Sequence, residues 1–128
     1  MIKRIDHVVI TTQDPDRCLE FYRALGFQVE HRGGRYELFA GDFKINVHVL
    51  GSELSPHAQN VQPGSADICF EMSSSIDAYK AMLEAKGLTV ELGVVPRNGT
   101  YGVMKSFDLR DPDKNLVEIS SYEREMPQ

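Results

Sequence analysis

The chain runs one pattern twice, and that repeat limits its possible folds more than any other feature. In the first half, Ile5–Ile10 is β-branched and reads as a strand. Asp14-Pro15 offers an N-cap followed by proline at the first helical position. Cys18, Leu19, Tyr22 and Leu25 fall at helical spacing, and Gly26 supplies a left-handed stop. Three extended stretches follow, near 27–30, 35–40 and 43–50, with Gly33-Gly34 and Gly41-Asp42 as turns. The second half repeats this order. Ala66–Met72 alternates as a strand, and Ser73-Ser74-Ser75 caps a helix whose apolar face is Ile76, Tyr79, Met82 and Leu83. Gly87 ends that helix, and strands follow near 88–92, 103–109 and 115–122.

The match extends to single residues: Leu25-Gly26-Phe27-Gln28-Val29-Glu30 aligns with Lys86-Gly87-Leu88-Thr89-Val90-Glu91. Two copies of a unit of about 60 residues are too few and too long for a solenoid. The expectation is an α+β fold of two βαβββ modules in one domain spanning 1–128. Module 1 covers 1–50, a linker containing Pro56, Pro63 and Gly64 covers 51–64, and module 2 covers 65–122. The polar tail 123–128 is expected to fray. The linker length allows pairing of modules within one chain or between two, so a homodimer is expected.

Charge removes several classes of partner. The net charge is −5, and the 14 basic residues are scattered, so no basic stripe awaits nucleic acid or an anionic lipid surface. No apolar run spans a bilayer, and Met1–His7 has no signal-peptide core, so a cytoplasmic location is the expectation. Cys18 and Cys69 lie in apolar-patterned segments without zinc-knuckle or redox spacing, and both read as buried free thiols.

The repeat also pairs residues that carry chemistry. His7 opens the first strand of one half and Asp67 the first strand of the other. His48 and Glu118 lie in the two last strands, at an offset of 70 or 72 residues that also brings Asn46 into comparison. Both offsets are even, so facing is kept either way. Two imidazoles and two carboxylates suit one divalent ion (Zn, Ni, Mn, Co or Fe). Each residue has a plainer reading. His7 is otherwise a hydrogen-bonded inward histidine, Asp67 a partner for an arginine or a backbone cap, and Glu118 a paired carboxylate. His57 and His31 read as solvated. The stretch Pro96–Gly102, which includes Arg97 and Tyr101, is either a cover over a pocket that sets substrate choice or a hairpin connection.

Three segments resemble the vicinal oxygen chelate superfamily of glyoxalase I, bleomycin- and fosfomycin-resistance proteins and extradiol dioxygenases. Ile5-Asp6-His7-Val8-Val9-Ile10 looks like its opening strand. Arg110-Asp111-Pro112-Asp113-Lys114-Asn115-Leu116-Val117-Glu118 looks like its closing "DPDGNxIE" signature, and Leu25-Gly26-Phe27 also fits. Within the superfamily, Lys44–His48 and Pro63–Phe70 are similar to glyoxalase domain-containing proteins and to bacterial lactoylglutathione lyase-like virulence proteins. The resemblance implies a cupped, mostly antiparallel sheet enclosing a divalent metal. It carries His7 and Glu118 over as ligands, and His48 approximately, whereas Asp67 stands where relatives usually have histidine. It also implies basic residues for a substrate carboxylate, for which Arg97, Lys105 and Arg35 are available.

The expected function is therefore a metal-dependent lyase or isomerase of glyoxalase type. Its small substrate would be chelated through vicinal oxygens, Glu118 would relay a proton, and Asn46, Arg97 and Tyr101 would contact the substrate. The alternatives are an extradiol-type dioxygenase, which Asp67 disfavours, and a non-catalytic module that binds a drug-sized ligand.

Overall fold

The computed structural model describes residues 1–122, so the tail 123–128 expected to fray lies outside the described residues. The elements are β1 (His7–Thr12), α1 (Pro15–Leu25), β2 (Gln28–Arg32), β3 (Arg35–Ala40) and β4 (Phe43–Val49). They are followed by β5 (Asp67–Glu71), α2 (Ile76–Ala85), β6 (Val90–Gly99), β7 (Gly102–Arg110) and β8 (Leu116–Tyr122). The first sheet has the order β1-β4-β3-β2 and the second β5-β8-β7-β6. In each, one parallel pair (β1 with β4, β5 with β8) joins antiparallel neighbours, so the sheets are mixed and equivalent in topology. The α+β class and the doubled βαβββ order are as the repeat requires.

The chain divides into two compact units. The first contains residues 1–66 together with Asp111–Asn115, and the second contains 67–110 and the segment from Leu116 onward.

In the first unit, α1 begins where Asp14 accepts a hydrogen bond from the Arg17 N–H at 3.2 Å, with Pro15 in the first turn. It ends at Gly26, whose φ of 108° suits a residue without Cβ. Its apolar stripe buries Cys18, Leu19, Phe21, Tyr22 and Leu25. Tyr22 meets Phe27 edge-on at 5.6 Å, and Phe27 meets Phe43 at 6.0 Å. Ile10, Leu38, Ile45 and Val47 complete the core from the strands.

The turn Asp111–Asn115 seals this unit through hydrogen bonds. The Asp111 carboxylate accepts from Tyr22 Oη, Asn115 Nδ2, and the backbone N–H groups of Asp113 and Asn115, all within 2.8–3.0 Å. Asp113 accepts from Thr12 Oγ1 at 2.6 Å and the Gln13 N–H at 2.9 Å, and Asn115 Oδ1 accepts from the Ala66 N–H at 2.9 Å. Buried carboxylates are tolerated only when satisfied in this way. Gly64, at φ 83°, faces the Asp113 carbonyl with no space for a Cβ.

In the second unit, Ser75 caps α2 by accepting from the Ala78 N–H at 3.2 Å, and the helix buries Ile76 and Leu83. Phe107, Leu109, Val117 and Ile119 supply the sheet's share of the core.

Two local expectations are corrected. β6 does not stop near Leu92 but runs to Gly99, taking Pro96 and Arg97 into the ladder. It is an edge strand, and proline is tolerated there because one side of the ladder needs no donor. The stretch Pro96–Gly102 is thus a hairpin with Thr100-Tyr101 at its tip, and not a cover loop. Cys18 is buried, but Cys69 is exposed, because it shares the phase of Asp67 and Glu71 along β5 rather than that of Ile68 and Phe70.

Candidate functional site

Alternation along β4 separates two faces of the first unit's sheet. Ile45 and Val47 point into the core, leaving Lys44, Asn46 and His48 on the other face. Pairing aligns His7 with Lys44, Val9 with Asn46 and Thr11 with His48 from β1, and Glu37 with Asn46 from β3. Asn46 and His48 are only 4% and 7% exposed. Even so, Asn46 Oδ1 and His48 Nδ1 are buried without a hydrogen-bond partner, as is Arg35 Nε. Burial holds the His48 imidazole below its ordinary pKa, the Glu53 carboxylate pulls it upward, and His57 and Arg35 push it down. Glu37 is bound by Lys44 at 2.5 Å, and this hydrogen bond draws its pKa below the usual range.

His7 is exposed rather than inward-facing, and its Nδ1 lies 2.8 Å from Asp6 Oδ1. That hydrogen bond lowers the Asp6 pKa. His31 and His57 are exposed as expected, the former stacked on Tyr36 at 4.5 Å.

The second unit carries carboxylates on the corresponding face. Glu118 on β8 pairs with Cys69 on β5 and with Asp108 on β7. Asp67 lies two positions before Cys69 and is hydrogen-bonded to Glu118. Glu118 is pushed above the ordinary carboxylate range by burial first, then by the charge and hydrogen bond of Asp67, then by Asp108, while Arg97 opposes. Asp67 thus partners another acid, which neither sequence alternative for it anticipates. Asp108 is 4% exposed, with Oδ2 held by Arg97 Nη2 at 3.3 Å and Oδ1 unpartnered. Arg97 is exposed, and Tyr101 sits at the hairpin tip, where its backbone N–H donates to Tyr122 Oη at 3.1 Å.

The register resolves the choice of offset. His7 and Asp67 each open the first strand of their sheet, opposite Lys44 and Leu116 respectively. Asn46 opposite Val9 therefore corresponds to Glu118 opposite Cys69, an offset of 72, and His48 corresponds to Ser120. The sequence reading passed over Asp108. Its signal was the alternation Ser106-Phe107-Asp108-Leu109, which places a carboxylate beside Glu118 once the strands pair.

Among the described residues, no group of three or more His, Cys, Asp or Glu side chains is gathered closely enough to hold an ion. The chemistry of the donors nevertheless fits a divalent cation. Burial and the neighbouring Asp67 raise the cost of ionising Glu118, which a cation would relieve. His48, neutral through burial, is in the form that ligates.

Comparison with known proteins agrees with this architecture. Residues 4–119 match the model of the Glyoxalase/Bleomycin resistance protein/Dioxygenase superfamily. The chain is 43% identical over 123 residues to glyoxalase domain-containing protein RDO1 of Mycosarcoma maydis, covering 95% of this chain and 70% of that protein. It is 40% identical to virulence protein STM3117 of Salmonella typhimurium, covering 95% and 86% respectively. An integron cassette protein from the mobile metagenome of V. cholerae superposes with a TM-score of 0.92 at 42% identity, covering 96% of this chain and 98% of that one. The chain belongs to the Glyoxalase/Bleomycin resistance protein/Dioxygenase superfamily.

Proposed function

We propose that the chain is a divalent-metal-dependent lyase or isomerase of glyoxalase type, acting on a small substrate that offers two vicinal oxygens. The observation that carries this reading is the hydrogen-bonded pair Asp67 and Glu118, with Asp108 beside it. Three carboxyl groups on one sheet face are costly unless they serve a cation or a proton. In this reading Asp67 and Glu118 are the second unit's donors to an ion, and His7 and His48 are the donors that the first unit offers. When bound, the ion acts as a Lewis acid toward the substrate oxygens. A fosfomycin resistance protein of the same fold, FosX from Listeria monocytogenes, was solved with Mn(II); it is 19% identical, with a TM-score of 0.65.

The chain's own groups would supply the rest. Glu118, raised above the ordinary carboxylate range, accepts a proton from substrate carbon and returns it to the neighbouring carbon. Arg97 offers a cation anchored on Asp108, while Asn46 and Tyr101 offer hydrogen bonds to the substrate. We place the protein in the cytoplasm as a homodimer. No helix among the described residues is long and apolar enough to cross a membrane.

Elemental analysis and turnover test the proposal. Purified protein should hold about one divalent ion per chain, and His7→Ala or Glu118→Ala should remove most of it. Methylglyoxal with glutathione should yield lactoylglutathione with at least one of Zn, Ni, Mn, Co or Fe. Metal content unchanged in both variants would overturn the ligand assignment, and no turnover with any of the ions would overturn the reaction. Native mass spectrometry should show two subunits.

A further inference from the structure

Cys69 is the exposed thiol of the second unit, and the proposed chemistry makes no use of it. Pairing places it in one row with two acids: Cys69 on β5 lies opposite Glu118 on β8, and Glu118 lies opposite Asp108 on β7. Asp67 and Glu71 flank it along β5 in the same phase. Its Sγ stands 3.1 Å from Ser120 Oγ, which is 2.5 Å from Ser106 Oγ, and both serines are fully buried. These hydroxyls fix the sulfur and can turn a donor toward it when the thiol gives up its proton.

An independent feature of the same row calls for a ligand. Asp108 is buried and Arg97 holds only its Oδ2, so Oδ1 is left without a partner. A buried carboxylate oxygen in that state needs a donor, and a cation serves best. The charge of Asp108 reaches both Glu118 and Cys69, which places it on the thiol's side of the sheet. Asp67 and Glu118 act on the thiol as well. Against these acids stand Arg97, bound to Asp108, and Arg110, which is held by Glu91 at 3.1 and 3.2 Å. The thiol thus opens onto a face with a surplus of negative charge.

We infer that Cys69 is a modification site, where a small disulfide carrying an ammonium group forms a mixed disulfide and sets that ammonium between Glu118 and Asp108. Cys69 Sγ attacks one reagent sulfur: the Sγ–S bond forms, the reagent's S–S bond breaks, and the leaving sulfur takes up the thiol proton. Cys69 is oxidised, and the departing half of the reagent is reduced. Neighbouring strands lie about 4.8 Å apart, so about 10 Å of sheet separates Cys69 from Asp108, with Glu118 midway. A two-carbon spacer between sulfur and nitrogen carries the ammonium from Sγ into that row. A reagent bearing carboxylates meets repulsion at the same place. The adduct lies over the Asp67 and Glu118 pair, so thiolation and ion binding exclude each other. That consequence rests on the metal-dependent reading, and the modification itself does not.

The test treats the purified full chain, stripped of metal by a chelator, with three disulfides at neutral pH. They are cystamine, its neutral isostere hydroxyethyl disulfide, and the dianion dithiodipropionate. Intact-mass spectrometry follows each rate, divided by the rate of the same reagent with N-acetylcysteine amide. One adduct should form, on Cys69, with cystamine ahead of hydroxyethyl disulfide by about fivefold or more at low ionic strength and dithiodipropionate slowest. High salt should narrow the gap. Asp108→Asn and Asp67→Asn should each narrow it by about twofold or more, and Cys69→Ser should take no adduct. Circular dichroism confirms that each variant folds, and buried Cys18 stays unreacted while the first unit is intact. Zinc affinity of the cystamine-treated chain should fall about tenfold or more and return on reduction. The inference is overturned if the normalised rates ignore reagent charge, if the preference for cystamine survives in both folded acid variants, or if the adduct leaves a measurable zinc affinity unchanged. A charge-selective adduct on a chain that binds no ion would preserve the modification site while removing the metal-dependent reading.

Discussion

Asp67 and Glu118 are hydrogen-bonded carboxyl groups on neighbouring parallel strands, offset by two positions of register. Burial and this acidic neighbour hold the Glu118 pKa above its ordinary 4.5. The folded chain therefore keeps a proton that the unfolded chain releases, and Glu118 costs stability as pH rises from 4.5 through its folded pKa. Glu118→Gln imitates the protonated group. It should match the parent near pH 4 and exceed it at pH 8, in urea unfolding of metal-free protein. A variant less stable than the parent at pH 8 would contradict the assigned direction.

Tyr22 Oη donates to Asp111 Oδ2 at 2.8 Å in a fully buried setting. Tyr22→Phe keeps the ring and removes a hydrogen bond to a charged acceptor, so unfolding free energy should fall by about 1.5–3 kcal/mol. Asp111→Ala strands four donors at once and should cost more than Tyr22→Phe. Chemical denaturation of both variants checks the order.

Lys114 holds a left-handed φ of 75° at the position where the resembling signature carries glycine. Such a conformation costs a side-chain-bearing residue about 1–2 kcal/mol, partly offset by the greater unfolded-state freedom of glycine. Lys114→Gly should raise stability by roughly 0.5–1 kcal/mol, read as a higher denaturation midpoint at unchanged slope.

The two cysteines should separate in a thiol-labelling experiment at pH 8. Burial, then the charge of Asp111, pushes the Cys18 thiol up to about 12, so it should react only when the chain unfolds. Cys69 is exposed, with Sγ 3.1 Å from Ser120 Oγ, and burial raises its pKa more modestly. One thiol should therefore react in the native protein, and Cys69→Ser should remove that reaction.

Element order was legible because glycines and alternation mark it directly: Gly26 and Gly87 both end helices, and Arg35–Ala40 is a strand at the bounds read from sequence. The full length of β6 was hidden because Pro96 and Gly93 read as breakers, while an edge strand tolerates them. The donors themselves were visible as residue types, but the position matching Glu118 was not. Offsets of 70 and 72 share one parity, so alternation admits both His48 and Asn46, and only hydrogen-bond register decides. The unsatisfied state of Arg35, Asn46 and His48 was equally hidden, because whether an atom has a partner depends on neighbours brought in by pairing.

The first compact unit is not contiguous in the chain, since its Asp111–Asn115 turn arrives long after residue 66. On the ribosome, α1 and β1 emerge well before the carboxylates that receive Tyr22 and Thr12 have been synthesised. An amino-terminal fragment ending at residue 66 would therefore lack its closing latch, and adding a synthetic peptide containing residues 111–115 would be the way to restore it. The two halves repeat each other in sequence, yet the first borrows its last stitch from the second.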